Sequence, residues 1–264
     1  MTAQAAPRGS SYRESIAGKD PVKQKLKKTS LKIGAALRRL LYPAACPVCD
    51  RTRPTDGLGI CPQCRKMVQL TKEPYCLRCG QALEVDASLC VDCDRRTRSF
   101  DAGRSCFLND DVIKPALYRL KFHHRKEIGD ELAAEMVHYL GEQLLFWRPQ
   151  LLIPIPISRK RRRSRGYNQA EVLARGIGCR LGVPVSESIL VRVKETKALK
   201  ELSKEERRQQ MKRAFSVFGE VPETVVLVDD IYTTGATMDA AAAVLKEHGA
   251  VRVYFVCVCQ GEGV

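Results

Sequence analysis

The sequence lacks any apolar run long enough to cross a membrane, which takes about 20 residues in a helix. Its basic N-terminal stretch also lacks the apolar segment of a secretory signal peptide. We therefore expect no transmembrane segment and a cytoplasmic location. There the 12 cysteines are expected to be reduced or bound to metal. These absences argue against channels, transporters and secreted domains held together by disulfides.

Aromatic residues are scarce, and acidic residues are outnumbered by basic ones. Aromatic residues make up 6% of the chain, which weakens base stacking as the main mode of nucleic-acid binding but leaves electrostatic binding open. The chain has 30 acidic and 45 basic residues, so its formal net charge is +15. That balance favours anionic partners, namely phosphates, nucleic acid or an anionic membrane surface. Net charge alone does not distinguish such a partner from simple solubility.

Residues 225–250 form the stretch around which the chain is organised. Residues 225–228 are all apolar and mostly β-branched, a pattern typical of a strand buried on both faces of a parallel sheet. Two acids, Asp229 and Asp230, follow. Small and hydroxylated residues come next, and an alanine-rich helical run ends near Gly249. The small residues are Thr233, Thr234, Gly235, Ala236 and Thr237.

This order of strand, acid pair, loop and helix suits a sugar phosphate. Backbone N–H groups of a tight loop and the N-terminus of a helix bind phosphate, and the threonine hydroxyls add donors. Two carboxylates accept hydrogen bonds from a vicinal diol or hold a divalent cation. The Gly-Lys-Ser/Thr ending of a Walker A loop is missing. An ordinary strand–helix turn with an exposed acid pair is the structural alternative.

The stretch closely resembles the binding motif for phosphoribosyl pyrophosphate (PRPP) in type I phosphoribosyltransferases. The resemblance implies that Asp229 and Asp230 meet the ribose hydroxyls, with Mg²⁺ as cofactor. It also implies that residues 233–237 surround the 5′-phosphate. The fold expected from this resemblance is α/β, a type I phosphoribosyltransferase-like parallel sheet flanked by helices and preceded by a small zinc-ribbon domain with four-cysteine sites.

Four Cys-x-x-Cys pairs provide the second strong signal. Two thiolates on a tight turn bind one Zn²⁺, and two such turns complete a tetrahedral site without an open position, so both zinc ions are expected to be structural. Pairing consecutive turns predicts two ribbons in tandem, and a cross-braced pairing is the alternative. The proposed ligands are Cys46, Cys49, Cys61 and Cys64 for the first zinc, and Cys76, Cys79, Cys90 and Cys93 for the second.

The remaining cysteines lack this spacing, and we interpret them as small buried apolar residues. They are Cys106, Cys179, Cys257 and Cys259. The cysteine pattern divides the chain into residues 1–42, a basic leader with a short amphipathic helix, residues 43–98, a double zinc ribbon, and residues 99–264, a phosphoribosyltransferase-like domain. The helix is expected to pack on the ribbon, with peripheral contact at the inner face of the membrane as a weaker alternative.

A basic run follows the buried strand predicted at residues 151–155 and leads into a helix ending near Gly182. In type I enzymes the loop after this strand holds the pyrophosphate of PRPP, which places Ile157 and Ser158 there. Arg159 and Lys160 are positioned to neutralise the diphosphate. The next basic residues are candidates for nucleic-acid binding: Arg161, Arg162, Arg163 and Arg165. A solvated charged face is the alternative for the whole run.

The cysteine pairs, the basic run ending in Arg-Gly-Tyr-Asn-Gln (residues 165–169) and the acid-pair stretch together resemble the ComF family of competence proteins. The resemblance covers roughly residues 40–259 and implies a phosphoribosyltransferase-like domain with a role in DNA uptake. It implies PRPP as ligand, with single-stranded DNA and the DNA-uptake machinery as further partners. It does not identify an acceptor substrate.

Other segments complete the prediction. Residues 105–108, 189–193 and 251–259 are expected as strands, and residues 111–121 and 127–145 as helices, with Pro115 in a first turn. The histidines of the basic turn at residues 121–126 are interpreted as surface residues. Residues 194–213 are expected to form either a mobile hood over PRPP, with Lys194, Thr196 and Arg207 as candidates, or a solvated helical hairpin.

Two functions of different classes follow. The first is an enzyme in which Mg²⁺ assists displacement of pyrophosphate from PRPP by an unidentified acceptor. The second is a non-catalytic factor that binds single-stranded DNA through phosphate contacts and uses the fold as a scaffold. No residue is assigned as a general base.

Overall fold

The computed structural model describes residues 45–52, 58–123, 125–193 and 214–261. The predicted basic leader, the amphipathic helix and the hood all lie outside these ranges, as does His124. Within the described part of the chain, no helix is both long and apolar enough to span a membrane.

The described residues form six strands and seven helices. The strands are β1 (Ala102–Leu108), β2 (Leu151–Pro154), β3 (Leu190–Arg192), β4 (Phe215–Val217), β5 (Thr224–Tyr232) and β6 (Arg252–Gln260). The helices are α1 (Pro62–Arg65), α2 (Val91–Arg95), α3 (Lys114–Phe122), α4 (Lys126–Trp147), α5 (Arg159–Arg165), α6 (Gln169–Leu181) and α7 (Ala236–Glu247). Pro115 lies in the first turn of α3, where its missing N–H leaves no hydrogen bond unmade.

The central sheet is parallel, with the strand order β1-β6-β5-β2. Its register pairs Val225 with Leu151 on one side and with Val253 on the other. Residues 225–228 are fully buried, as the continuous apolar run predicts for a strand covered on both faces. The predicted strand at residues 189–193 exists as β3, but it pairs with β4 in a separate antiparallel sheet.

Each face of the parallel sheet carries its own apolar layer. Because side chains alternate along a strand, Val226 and Val228 pack with α3, α4 and α6, whereas Val225 and Leu227 pack with α7. The first layer also contains three cysteines of the first ribbon, and the second layer contains all four cysteines of the second ribbon. The two ribbons therefore cover opposite faces of one sheet.

The first ribbon is joined to α4 by a buried carboxylate. The fully buried Glu135 accepts hydrogen bonds from the backbone N–H of Ile60, at 2.7 Å, and from the guanidinium of Arg65, at 3.1 Å. A buried charge is tolerated only when it is paired in this way. The ribbons and the α/β part lie in one compact unit, residues 44–264. The division into folding domains at residue 98 stays a prediction.

Candidate functional site

The acid pair lies inside β5 rather than after it. β5 pairs with β2 only as far as Val228, but it continues alongside β6 to Tyr232. Asp229 and Asp230 therefore occupy the part of β5 that has lost its β2 neighbour. This opening is at the carboxyl edge of a parallel sheet, where α/β proteins bind their ligands.

Lys121 of α3 is the principal partner of the acid pair. Its Nζ lies 2.8 Å from Oδ2 of Asp230, and both side chains are largely buried. The backbone N–H of Asp230 donates to Oδ1 of Asp229 at 2.8 Å. The sequence places Lys121 between a predicted helix and a basic turn and does not indicate Asp230 as its partner, because a contact across more than a hundred residues leaves no local signal.

The two carboxyl groups differ in their electrostatic environment. Burial, and then the charge of Asp230, raises the pKa of Asp229 well above its usual range. The backbone N–H of Asp230 and the charge of Lys121 oppose this shift but do not cancel it. A ligand that supplies positive charge or hydroxyl donors would therefore stabilise the ionised Asp229.

In the structure the predicted phosphate-binding loop contains three residues, two fewer than expected. Thr233 and Thr234 are exposed, and Gly235 adopts φ 74° at the N-cap of α7. A Cβ at Gly235 would lie 2.4 Å from the hydroxyl of Tyr232, so this position requires glycine. Ala236 and Thr237 belong to the first turn of α7 rather than to the loop.

The segment that leaves the second ribbon is hydrogen-bonded to this loop and to α7. Nη2 of the buried Arg98 donates to the carbonyl oxygen of Thr234 at 3.1 Å, and Arg98 also pairs with Asp92. The backbone N–H of Ser99 donates to Oδ1 of Asp239 in α7 at 2.5 Å. The loop and the start of α7 are thereby fastened to the segment that leaves the second ribbon.

Tyr232, which packs against Gly235 of the same loop, belongs to an aromatic cluster. Its ring stacks on Phe255 with centroids 4.8 Å apart and meets Phe100 edge to face at 6.4 Å. Burial, and then the neighbouring Cys79, raises the pKa of Tyr232. The second cysteine set thus lies next to the residue on which Gly235 rests.

The cysteines form two separate clusters with consecutive pairing. In each set the four sulfur atoms lie within 4.8 Å of one another, and the sets are Cys46, Cys49, Cys61 and Cys64, and Cys76, Cys79, Cys90 and Cys93. The sulfurs of Cys49 and Cys61 are 3.9 Å apart, and those of Cys79 and Cys90 are 3.7 Å apart. Tetrahedral zinc with Zn–S bonds of about 2.3 Å requires sulfur–sulfur distances of about 3.8 Å. The clusters fit zinc, and the cross-braced alternative is wrong.

The basic run after β2 forms a helix of its own. Ser158 caps α5, and Gly166, with φ 74°, ends it before α6 begins at Gln169. Arg159 and Lys160 are therefore the first helical residues, and Ile157 and Ser158 remain in the connecting loop. The prediction of one loop leading into one helix missed this short helix.

Most of the cations on α5 point into solvent. Arg162 pairs with Glu171, and Arg165 donates to Gln169 at 3.0 Å. Among the described residues, the other four cations of the helix have no acidic partner: Arg159, Lys160, Arg161 and Arg163. This exposed group is available to bind an anion.

Two residues of the Arg-Gly-Tyr-Asn-Gln string stabilise the fold through hydrogen bonds. The Tyr167 hydroxyl donates to the carbonyl oxygen of Leu120, and Asn168 Nδ2 donates to that of Ile155 at 2.9 Å. Burial raises the pKa of Tyr167 to about 12, so it stays a neutral donor. These two bonds hold α3 and the loop after β2 at the same edge of the sheet as the acid pair.

Comparison with known proteins agrees with this geometry. Residues 37–106 match the double zinc ribbon domain, and residues 163–263 match the phosphoribosyl transferase domain. Competence protein F of Haemophilus influenzae is 32% identical over 204 residues, which is 72% of this chain and 86% of the relative. The chain belongs to the ComF family. Competence protein ComFC of Bacillus subtilis, also 32% identical over 198 residues, covers 72% of this chain and 79% of its own length.

A third relative extends the match over more of the chain. DNA utilization protein YhgH of Escherichia coli is 26% identical over 231 residues, which is 84% of this chain and 99% of the relative. For this ComF-family protein the expected α/β fold with a preceding double ribbon is confirmed. The two buried clusters are four-cysteine sites for structural zinc.

Two further sequence predictions have clear outcomes. Cys106, Cys257 and Cys259 are buried as expected, but Cys179 is exposed on α6, so its interpretation as a buried residue is wrong. Cys179 lies one helical turn after the exposed Arg175, so it belongs to the outer face of α6. His123 is exposed, as expected for the surface interpretation.

Three cations near the site were missed by the sequence analysis. They are Lys121, Arg98 and Arg192. Burial, and then the charge of Arg161, lowers the pKa of Arg192, whereas Asp229 opposes the shift. Arg192 in β3 therefore lies within electrostatic range of both the basic helix and the acid pair.

Proposed function

We propose that this ComF-family protein binds PRPP at the carboxyl edge of β5 and acts in the uptake or use of DNA. The proposal that the protein binds PRPP rests on the arrangement of Asp229 and Asp230 beside the loop that Gly235 ends at the N-terminus of α7. The names of three relatives, two competence proteins and a DNA utilization protein, support the role in the uptake or use of DNA. We place this action in the cytoplasm, next to the DNA-uptake machinery.

Each part of PRPP has a counterpart at this edge. The carboxylates of Asp229 and Asp230 accept hydrogen bonds from the ribose hydroxyls. The loop Thr233–Thr234–Gly235 and the first turn of α7, with Ala236 and Thr237, surround the 5′-phosphate, because the first N–H groups of a helix have no partner within it and donate to an anion. The loop residues Ile157 and Ser158 and the cations of Arg159 and Lys160 take the pyrophosphate.

The acid pair also fits Mg²⁺. Carboxylate oxygens are hard ligands, and Mg²⁺ is commonly held by one or two carboxylates together with substrate phosphates. When bound, Mg²⁺ would neutralise charge on the diphosphate as it leaves. Lys121 holds Asp230 in place through its 2.8 Å ion pair, while Arg159 and Lys160 stabilise the departing anion.

Binding is expected to strengthen as the pH rises. In the free protein the raised pKa of Asp229 keeps part of the population protonated, and a diol or Mg²⁺ binds the ionised form. Binding therefore releases a proton from Asp229 below that raised pKa, and above it Asp229 no longer makes binding depend on pH. Calorimetric titration in two buffers with different ionisation enthalpies measures the released protons.

Asp229→Asn is the control for this pH dependence. The phosphate of the ligand titrates near pH 6 in either protein, so the difference between the two proteins isolates Asp229. Equal proton release by wild type and Asp229→Asn would contradict the assignment of Asp229 to the ligand.

The exposed cations of α5 favour a second candidate function. A non-catalytic factor would bind the backbone of single-stranded DNA with Arg161, Arg162, Arg163 and Arg165. Of these four, Arg161 and Arg163 are exposed without an acidic partner among the described residues, whereas Arg162 pairs with Glu171 and Arg165 donates to Gln169. Both functions use the same edge of the sheet, so PRPP and DNA would compete or cooperate there.

Loss of Arg161 or Arg163 is expected to flatten the salt dependence of single-strand binding. Each lost phosphate contact lowers the slope of log affinity against log salt by about 0.7 for single strands. Arg252→Ala is the matched control, because Arg252 is exposed at the amino edge of the sheet. The measurement is fluorescence anisotropy of a labelled oligonucleotide across a salt series. Unchanged slopes in Arg161→Ala and Arg163→Ala would show that these two side chains face solvent and do not contact phosphate.

Release of pyrophosphate separates the two functions. The protein is incubated with PRPP, Mg²⁺ and a mixture of bases and nucleotides, and pyrophosphate is measured with a coupled assay. Release that requires both the protein and an acceptor supports the enzyme. PRPP binding without release of pyrophosphate supports the non-catalytic function. If pyrophosphate is released, testing fractions of the mixture identifies the acceptor.

A further inference from the structure

Arg98 places a buried cation between the second ribbon and the phosphate loop, Thr233–Thr234–Gly235. Arg98 is 8% exposed, and its Nη2 contacts two acceptors. One is the carboxylate of Asp92, with which Arg98 forms an ion pair, and the other is the carbonyl oxygen of Thr234, at 3.1 Å. A guanidinium removed from water requires such partners. Arg98 therefore bridges the ribbon and a loop that lies 136 residues later in the chain.

The Asp92 end of this bridge belongs to the second zinc site. Asp92 lies in α2, between Cys90 and Cys93, which are two of the four cysteines of the second cluster. A tight turn that carries two zinc ligands keeps its shape because both ligands bind one ion, and zinc binding supplies folding energy. The position of Asp92 therefore depends on the second zinc.

The Thr234 end of the bridge orients a donor of the phosphate loop. The peptide group between Thr234 and Gly235 is trans, so its N–H points opposite to its carbonyl group. Because the carbonyl oxygen accepts from Arg98, the N–H of Gly235 points away from Arg98 and the ribbon. One hydrogen bond thus fixes the direction of a backbone donor at the N-cap of α7.

The next residue of the chain makes a second connection to the same region. The backbone N–H of Ser99 donates to Oδ1 of Asp239 at 2.5 Å, and Asp239 is buried in α7. The backbone N–H of Asp239 in turn donates to the carbonyl oxygen of Gly235 at 2.8 Å. Residues 98 and 99 therefore hold both the loop and the first turn of α7.

The corresponding arginine of the first ribbon is directed elsewhere. Arg65 directly follows Cys64 and donates to the carbonyl oxygen of Ile60 at 2.5 Å and to the carboxylate of Glu135 at 3.1 Å. Glu135 belongs to α4, which packs on the face of the sheet opposite α7. A link from zinc to the phosphate loop is therefore expected for the second ribbon and not for the first.

We propose that Arg98 is a positioning residue that couples the second zinc site to the phosphate loop, so that zinc and a bound phosphate stabilise each other's site. The inference rests on the proposed function for its interpretation of the loop as the 5′-phosphate site, and it adds the regulation of that site. Coupling between two binding sites is reciprocal. If loss of the second zinc weakens phosphate binding about tenfold, a bound phosphate strengthens zinc binding by the same factor.

The test follows the release of zinc into an excess of a chromogenic chelator, with and without saturating PRPP and Mg²⁺. Thiols that become free are alkylated during the release, and mass spectrometry identifies which set of four cysteines reacts. In wild type we expect PRPP to slow release and alkylation about tenfold at the second set. The rate at the first set is expected to stay the same. The second set is Cys76, Cys79, Cys90 and Cys93.

Arg98→Met removes both hydrogen bonds of the bridge and keeps an apolar side chain. Asp92 stays solvated in this variant, because its side chain is 39% exposed. We expect the variant to release the second zinc at the same rate with and without PRPP. Arg95→Gln is the matched control, because Arg95 is an exposed cation of the same ribbon, and it is expected to behave like wild type. A purely structural role of Arg98 would change the release rate but not its dependence on PRPP.

Two results would overturn the coupling while PRPP binding stands. The first is a wild type that binds PRPP without slower release at the second set alone. The second is a folded Arg98→Met protein that PRPP protects as it protects wild type. Circular dichroism reports folding, and Asp92→Ala, which removes the other end of the bridge and is expected to lose the protection, replaces Arg98→Met if that variant does not fold.

A wild type that does not bind PRPP would refute the proposed function and not the coupling. Inorganic phosphate then replaces PRPP in the same assay. Slower release at the second set in wild type, and not in Arg98→Met, would retain the coupling between zinc and an anion at the loop. Release that phosphate does not slow would overturn it.

Discussion

Replacing Asp229 and Asp230 together by asparagine is expected to weaken PRPP binding at least a hundredfold. Each substitution removes a negative charge and turns one acceptor oxygen into a donor amide. Two charge-assisted hydrogen bonds of about 1.5–3 kcal/mol each are lost, and a hundredfold loss corresponds to about 2.7 kcal/mol. The binding constants come from calorimetric titration in the presence of Mg²⁺.

Two variants control for this result. Glu247→Gln removes an exposed acid at the opposite end of α7 and is expected to bind like wild type. Thr234→Val removes one neutral hydroxyl from the phosphate loop, so only a several-fold loss is expected. The asparagine variant keeps side-chain size, and the Lys121 side chain, which is 20% exposed, keeps its contact with solvent once its partner is neutral. A folded double variant with wild-type affinity would refute the assignment of the acid pair.

Loss of the second zinc is expected to disrupt PRPP binding, whereas loss of the first is not. Cys79→Ser removes a ligand from the cluster next to Tyr232, and zinc binding supplies the folding energy of such a ribbon. Arg98 then loses its fixed position beneath the carbonyl of Thr234. We expect the zinc content to fall from two ions to one. PRPP affinity should also fall by about tenfold or more, because ordering a loop on binding costs conformational entropy.

The first ribbon supplies the matched comparison. Cys61→Ser removes the other zinc, but Cys61 packs in the layer with α4 and its ribbon bonds Glu135 of that helix, on the face of the sheet opposite α7. This variant is expected to lose stability while the folded fraction binds PRPP within about threefold of wild type. Metal analysis, thermal unfolding and calorimetry are the measurements. Equal PRPP affinities in the two cysteine variants would contradict support of the loop by the second ribbon.

The parts of the fold that local sequence determines were predictable. Residues 225–228 and 251–259 are apolar runs with β-branched residues, and both are central strands of the sheet. Two cysteines separated by two residues require only one tight turn to meet a metal, so the ligands of both zinc sites were visible in the sequence. The acid pair, the loop glycine and the start of α7 also lie within a dozen residues of one another.

Contacts that depend on tertiary packing were not predictable. Lys121 meets Asp230, and Arg98 meets Thr234, only because α3 and the end of the second ribbon fold onto the edge of the sheet. The two ribbons pack in apolar layers on opposite faces of the sheet, and the spacing of the cysteines does not indicate this placement. The helix α5 was missed because like charges oppose a helix locally, and here the Ser158 cap, Gly166 and the Arg162–Glu171 pair favour it.

The most direct test of the central claim is a calorimetric titration of the wild-type, zinc-loaded protein with PRPP and Mg²⁺. We expect saturable binding of one PRPP per chain, with protons released at a pH below the raised pKa of Asp229. A wild-type protein that is folded, retains both zinc ions and shows no heat or saturation with PRPP would refute PRPP binding at this edge of the sheet.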